Sequence, residues 1–495
     1  MVKSVNTIPE MLASVARRFG DRTAVVDGEE RVTYSELLAR VNRLAGELQQ
    51  RGIDSKTRVA LLLPNGLDFV LAYFAITATG ALVVPMNAQY QERELLYFLE
   101  ECEVVLLVAA NEYEGLCRKV ISKGAKGCQL LLEDEASQIS LRGRDFGTLE
   151  SAARSSDPVM YQFSSGSTGV PKCIARDHRN LIFELDSLTE TLGISHKDRF
   201  LGVAPFSHVN GLMRSMMASM RAGASLFTLP VFDRKKVADL IEKEKISVFI
   251  AVPFMFGMLA KTRYSQPPDF SSLRLCISAS APMPEKANEQ FYERFGIYVR
   301  QLYGSTETGT ISVNLQENVE DSLLSIGTPI RGVEVEVFGD DGQPAGLGEM
   351  GEFAVKSPAA IKEYRGAEDA NREAFRDGYF LTGDLGRRDE KGMLYLEGRK
   401  KFFINKGGYK INPQEIEDLL AGHPKVEEVA VVGVPTAFED EKVKAVVVTS
   451  ASCQAEEIVE YCRGKIADFK IPSLVEFRED LPKSPTGKIR KKLLL

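Results

Sequence analysis

Ser164-Ser165-Gly166-Ser167-Thr168-Gly169-Val170-Pro171-Lys172 gathers hydroxyls, glycines and a cation into one short run. Glycine lets backbone N–H groups turn inward, Ser and Thr add donors, and Lys supplies positive charge, which together is the chemistry of a loop that wraps phosphate oxygens. Lys172 follows Gly169 by three residues, so the run is not a Walker A loop, where the lysine comes directly after the glycine. Residues 158–163 and 173–175 read as strands on either side, so the loop joins two strands instead of opening a helix. Ser/Gly runs also serve as linkers. The apolar flanks and the terminal lysine speak for binding.

Four further segments carry chemistry-bearing residues. Tyr303-Gly304-Ser305-Thr306-Glu307-Thr308-Gly309 sets one acid among hydroxyls and glycines. A lone Glu there suits either solvent or Mg2+, which takes one or two carboxylates and shares phosphate oxygens. Pro205-Phe206-Ser207-His208-Val209-Asn210-Gly211 holds one of the chain's 4 histidines. Tyr379-Phe380-Leu381-Thr382-Gly383-Asp384-Leu385 ends a strand with an acid suited to a ribose diol. Pro482-Lys483-Ser484-Pro485-Thr486-Gly487-Lys488 puts a lysine on a turn, ahead of the basic tail residues Arg490, Lys491 and Lys492.

The elements that position these residues follow from composition and pattern. The 495 residues suffice for two or more domains, and 44% hydrophobic with 26% charged residues is ordinary for a globular chain. A net charge of −7 gives no pull toward nucleic acid or an anionic membrane. The 7 cysteines show no C-x-x-C spacing, which favours reduced thiols and a cytoplasmic setting. No signal h-region and no uninterrupted apolar run of about 18 residues is present, so a soluble protein is expected.

Buried-strand patterns at 58–63, 81–84, 104–108 and 130–132, with a helix over 68–79, set a βαβ rhythm and a mostly parallel, helix-covered sheet. A helix after Asp233 and strands at 247–252 and 273–278 belong to a second set. From 326 to 395 short alternating runs between glycine-rich turns predict a small antiparallel barrel or sandwich. Asn412-Pro413-Gln414-Glu415 is a helix start with cap, first-turn proline and capping-box Glu, and Gly422 is its stop. Strands at 428–432 and 443–448 and a helix over 455–467 complete an α+β unit. The expected fold is α/β: a large domain over 1–398, then a small mobile α+β domain over 399–495. The large domain divides into sheet subdomains over about 1–175 and 176–325 and a β-barrel over about 326–396.

Taken in this order, the five motifs resemble the adenylate-forming superfamily, its acyl-CoA synthetase branch in particular, from about Asn6 to Lys488. The resemblance implies a two-step reaction. A carboxylate attacks the α-phosphate of ATP to give acyl-AMP and pyrophosphate, and a thiol, usually that of coenzyme A, then displaces AMP. Positioning and electrostatics would do most of the catalysis. It further implies that Ser164, Ser165, Gly166, Ser167, Thr168, Gly169 and Lys172 cradle the β- and γ-phosphates, that Glu307 binds Mg2+ and that Thr306 touches the α-phosphate. Tyr303 and Gly304 would lie near adenine beside Ser280, Ala281 and Pro282, with Asp384 and Arg399 on the ribose. His208 would sit by the reacting carboxylate, and Lys488 would bridge it to the α-phosphate. Lys401 matches the hinge about which the small domain swaps Lys488 for Gly407, Gly408 and Lys410, which form the coenzyme A tunnel.

The chain departs from the superfamily's common pattern at Cys173, Phe402-Phe403, Asn405, and Pro435-Thr436 with Asp440-Glu441. The last three fall in the small domain and bear on the thiol acceptor, leaving a carrier-protein phosphopantetheine as the alternative to coenzyme A. Ser207 stands where amino-acid-activating relatives carry Asp. A buried ammonium would then lack its partner, which argues against α-amino acids. Val209, Leu212, Met213, Met216, Met217, Phe254, Met255 and Phe256 are either a flexible acyl wall or plain core. Arg214 is either a surface residue or a partner for an acidic substituent. A fatty or medium acyl chain is expected, with aryl acids open.

Overall fold

Val59, Ala60, Leu61 and Leu62 are wholly buried on both faces of their strand, as a central parallel strand between helical layers requires. The computed structural model describes residues 5–147, 153–164, 171–406, 409–436, 441–483 and 489–495. This strand, Arg58–Leu62, lies third in a sheet ordered Gln129–Leu132, Leu106–Ala109, Arg58–Leu62, Leu82–Pro85, Pro158–Ser164, Lys172–Asp177. All its pairings are parallel except the last, a hairpin in which Ser164 faces Lys172 and Gln162 faces Ile174. The hairpin tip is the hydroxyl-rich loop, of which residues 165–170 lie outside the described ones.

The second sheet has 14 strands among the described residues. Its parallel part runs Thr23–Asp27, Ser225–Thr228, Arg199–Gly202, Val248–Ala251, Leu275–Ser278, Arg300–Ser305. From Gly309–Val313 onward the pairing is antiparallel, through Ser325–Pro329, Leu394–Arg399, Tyr379–Arg388 and Gly351–Lys356 to Glu334–Phe338. The change from parallel to antiparallel falls where the alternating, glycine-rich texture begins.

One boundary needs correcting. The first sheet subdomain, expected over about 1–175, does not own its earliest strands. Thr23–Asp27 and its partner Glu30–Thr33 pair into the second sheet, against Ser225–Thr228. The helix Leu67–Ala78, buried at every position but Asp68, touches strands of both sheets and welds them into one core.

The C-terminal part holds a three-stranded sheet, Val426–Pro435, Glu441–Thr449 and Leu474–Phe477, and a short hairpin of Ile404–Lys406 and Tyr409–Ile411. Asn412 caps the helix Pro413–Ala421, accepting from Gln414 N at 2.9 Å. Glu415 pairs with Lys470 at 2.7 Å instead of closing a capping box. The helix Ala455–Cys462 stops short of 467, with Gly464 at φ +69 just beyond.

One buried polar network ties four elements of the large domain together. Glu184, on the helix His178–Thr191, lies 2.7 Å from Arg176 of the hairpin strand, and both side chains are fully buried. Its other oxygen accepts from Thr310 N at 3.0 Å and from the Thr310 hydroxyl at 3.1 Å. Thr310 in turn accepts from Arg214 Nε at 3.2 Å. Gly309 makes the approach feasible: its φ is +72, and a Cβ there would stand 2.5 Å from the Glu184 carboxylate. Gly309→Ala should therefore lower stability by roughly 2–4 kcal/mol, combining left-handed strain with displacement of a buried carboxylate. Urea unfolding of the variant beside the parent protein measures it.

Candidate active site

The parallel strands of both sheets deliver their C-terminal ends to one region, where open α/β sheets bind ligands. Val84–Asn87 and Gln162–Phe163 arrive from the first sheet; Ser207–Val209, Ser280 and Tyr303–Glu307 follow strands of the second. A small cavity of about 30 Å3 lies between them, with Met86, Asn87, Tyr90, Gln162, His208 and Thr306 in its wall. Gln162 is 4% exposed, and its Oε1 has no partner among the described residues, so the cavity wall offers an unmet acceptor.

His208 faces Asn87, Nε2 to Nδ2 at 3.1 Å. An amide nitrogen can only donate, which makes Nε2 the acceptor and puts the ring proton on Nδ1. Burial lowers the imidazole pKa to about 4, so His208 is neutral at neutral pH. It can shape a carboxylate site and hydrogen-bond in it, but it does not supply the cation.

Cationic and anionic groups sit at the hairpin mouth. Lys172 Nζ lies 4.6 Å above the Tyr364 ring, and the Tyr364 hydroxyl donates to Glu307 Oε1 at 3.0 Å. Glu307 is fixed a second time through its carbonyl, which accepts from Ile361 N at 2.9 Å. The Ser305 and Thr308 hydroxyls, 2.9 Å apart, brace the turn that carries Thr306 and Glu307. Among the described residues no group of three or more His, Cys, Asp or Glu is placed to hold a metal. A single hard carboxylate beside the mouth of the Ser164–Lys172 hairpin is a donor set of the kind Mg2+ accepts, since that ion takes one or two carboxylates and leaves its other positions to water and phosphate.

A third cluster lies one strand further on. Asp384 and Arg399 stand opposite each other on neighbouring strands. Arg399 Nε is 2.7 Å from Asp384 Oδ1, and the Tyr303 hydroxyl donates to Asp384 Oδ2 at 2.6 Å. Burial, with the Asp384 charge adding, raises the Tyr303 hydroxyl far above its ordinary range, so it keeps the proton it donates to Asp384. Ser280 takes a left-handed φ of +76, strain of the kind that collects at ligand sites, with Ala281 and Pro282 following it at the strand end.

The structure thus brings together Ser164, Lys172, His208, Tyr303, Gly304, Thr306, Glu307, Asp384 and Arg399 on adjoining strand ends. Ser165, Gly166, Ser167, Thr168, Gly169, Gly407, Gly408 and Lys488 lie outside the described residues, as do the side chains of Lys401 and Lys410. The backbone at Lys401 forms a 3-10 turn over Lys400–Phe402. Lys483 and Ile489, which flank the Lys488 segment, form a β-bridge. Arg490 lies close enough to Tyr90 for its charge to oppose the rise, to about 12, that burial imposes on that hydroxyl.

Two readings change. Of the acyl wall, only Val209 lines the cavity; Leu212, Met213, Met216 and Met217 belong to the main core, Met255 and Phe256 to a second core, and Phe254 is exposed. Arg214 is no surface residue but 2% exposed. Asn87, Tyr90, Gln162 and Tyr364 were not singled out from sequence. Isolated polar residues at strand ends give no pattern, and only long-range pairing shows where they converge.

Fold and site together define an adenylate-forming enzyme. The chain belongs to the family described as AMP-binding enzyme, whose profile matches residues 12–365, and the AMP-binding enzyme C-terminal domain matches residues 415–488. It is 34% identical to the long-chain-fatty-acid–CoA ligase FadD13 of Mycobacterium tuberculosis, over 94% of this chain and 92% of that protein. ATP-bound MatB from Rhodopseudomonas palustris superposes with a TM-score of 0.90 at 28% identity, covering 98% of each chain. The o-succinylbenzoate CoA synthetase MenE of Bacillus subtilis, in complex with its acyl-adenylate, gives 0.88 at 28% identity, over 99% of this chain and 98% of that one. No helix among the described residues is long and apolar enough to cross a membrane.

His178, whose Nδ1 accepts from Ile8 N at 3.2 Å, shares the behaviour of His208: burial lowers its pKa to about 4. Between pH 6.5 and 4 the unfolded chain protonates both imidazoles and the folded chain does not, so stability should fall as pH drops through that window. Each imidazole contributes on the order of 3 kcal/mol. Melting curves at pH 7 and 4.5 check this: His208→Gln should lose less stability on acidification than the parent protein, and parallel losses would show His208 is not the buried neutral group described.

Proposed function

We propose that this chain is an AMP-forming acyl-CoA synthetase: it activates a carboxylic acid with ATP and passes the acyl group to coenzyme A. A carboxylate oxygen attacks the α-phosphorus and the bond to pyrophosphate breaks, leaving acyl-AMP. The thiol sulfur then attacks the acyl carbon and AMP departs with the electron pair, the thiol proton going to solvent. The observation that carries this reading is the alignment of Lys172, Tyr364 and Glu307 at the hairpin mouth, cation and carboxylate set on either side of one phenol.

The described residues divide the work by position. Lys172 and the Ser164 end of the hairpin meet the outer phosphates, and Glu307 holds Mg2+, which supplies charge neutralisation when bound. Thr306 faces the cavity beside His208, where the carboxylate meets the α-phosphate. Asp384 and Arg399 take the ribose, with Tyr303, Gly304 and Ser280–Pro282 at the adenine. Neutral His208 packs on the carboxylate without neutralising it, so the counter-charge must come from Lys488, and Arg490 near the cavity residue Tyr90 supports a small domain turned so as to deliver it.

In this reading the large domain spans 1–398 and the small one 399–495, turning about Lys401 to bring Gly407, Gly408 and Lys410 to the thiol arm. The relatives named for long-chain fatty acids support an alkyl acyl group, and a cytoplasmic setting supplies both ATP and coenzyme A. A carrier-protein phosphopantetheine is the competing acceptor, and turnover with coenzyme A alone decides against it.

Lys488→Ala should abolish carboxylate-dependent pyrophosphate release by about 100-fold or more, at least ~2.7 kcal/mol of barrier, yet still convert supplied acyl-AMP and coenzyme A to thioester. Equal loss in both half-reactions overturns the assignment. Glu307→Gln should raise the Mg2+ concentration for half-maximal activity by roughly tenfold or more, since an amide is a poorer ligand for a hard cation. A magnesium titration of pyrophosphate release reads it directly.

A further inference from the structure

Arg214 carries a charge that the reaction above does not use. It lies on the π-helix Asn210–Met217, which is anchored on the cavity residue His208 by Leu212 N donating to His208 O at 2.9 Å. Wide turns of this kind recur at functional sites.

The side chain is 2% exposed. Its Nε is engaged by Thr310, but its Nη2 has no partner among the described residues. That nitrogen stands 2.5 Å from where a Cβ on Gly304 would be, so it lies against the backbone of the Tyr303–Glu307 loop. Asn210, one turn earlier and 5% exposed, has both amide atoms without a partner among the described residues. Two unmet hydrogen-bonding groups four residues apart on the helix that follows His208 are costly to leave so.

The charge balance points the same way. Arg176, Glu184 and Arg214 form one buried cluster, two cations to one anion. Desolvation lowers Arg214 to about 10, with Glu184 opposing and Arg176 adding, so it keeps its charge at neutral pH. Glu184 Oε1 accepts from Thr310 and Oε2 lies 2.7 Å from Arg176, without a hydrogen-bond partner of its own among the described residues, so the one anion is shared within the cluster. An excess buried cation is unfavourable until an anion meets it.

We infer that Arg214 is the specificity-determining residue of this reaction, ion-pairing a second anionic group on the acid being activated, with Asn210 beside it. The substrate class is then the dicarboxylate type: one carboxylate is adenylated and the other stays unreacted against Arg214. This rests on the acid-activation reading above. A monocarboxylic acid leaves the guanidinium and the amide unmet, and sites built around such groups reject analogues that lack them strongly.

The test uses the full-length protein with ATP, Mg2+ and coenzyme A. Pyrophosphate release is measured with straight-chain diacids of graded length, each against the monoacid and the half methyl ester of the same length. The diacids should win by about 100-fold or more in kcat/KM at the best length. Arg214→Met should cut the diacid value by about 100-fold and leave the monoacid equal or better, with Arg214→Lys in between. Should Arg214→Met melt early, Asn210→Ala leaves the Arg176–Glu184 pair in place and should shrink the same ratio. A wild-type preference for monoacids, or a well-folded Arg214→Met with an unchanged ratio, overturns the inference. Silence with every acid overturns acid activation itself, a different result from monoacid turnover.

Discussion

The buried contact between Arg176 and Glu184 is the constraint on which the site's geometry depends. It joins the second strand of the phosphate hairpin to the helix His178–Thr191, and through Thr310 to the strand that follows the Thr306–Glu307 turn. Breaking one partner of such a pair costs about 3–5 kcal/mol, because the survivor is left charged and dry. The two sheets are thereby held in register where their strand ends converge on the cavity. Hydrophobic burial alone would fix that register less sharply, since apolar faces tolerate small slips that a hydrogen-bonded carboxylate does not.

The same region shows how burial allots roles to groups that look alike in sequence. His208 is largely buried and neutral, so what it presents to the cavity is a shape and a neutral ring, not a charge. Tyr303 and Tyr364 both hold their protons, and each donates to a carboxylate, Asp384 and Glu307 respectively. Positive charge reaches the site on Lys172 and Arg399, which stand at its edges where water can hydrate them in the absence of a nucleotide. Arg214, like Arg176, carries its charge inside.

Local signals in the sequence were strong wherever one segment decides its own structure. The cap residues Asp233 and Asn412 start their helices, the apolar runs at 58–62 and 106–109 are central strands, and the hairpin of 158–164 with 172–177 flanks the hydroxyl-rich loop. What sequence did not reveal depends on distant partners. Thr23–Asp27 has a good strand pattern, but nothing in it names Ser225–Thr228 as its neighbour. Met213 and Met216 are apolar at helical spacing, which says buried and leaves open whether against core or ligand; the structure puts them in the core. Arg176, Glu184 and Arg214 are charged residues in amphipathic surroundings, each of which alone reads as surface. Their burial follows only once three segments meet.

The seam between the large and small parts is built on a different scale of energy. Asn412 both caps Pro413–Ala421 and donates through Nδ2 to Glu397 O, on the strand before the turn at Lys400–Phe402. Gly398 allows this, since its φ is +150 and a Cβ would stand 3.2 Å from Asn412 Oδ1 and 3.3 Å from the Phe403 ring. A neutral hydrogen bond of this kind is worth about 1 kcal/mol net. None of these seam contacts involves the Arg176–Glu184–Thr310 network that sets the register of the sheets. On the two-step reading proposed above, such a division suits the reaction: a buried, charge-paired network beside the hairpin, and a seam of exposed and half-buried polar contacts at the Lys400–Phe402 turn.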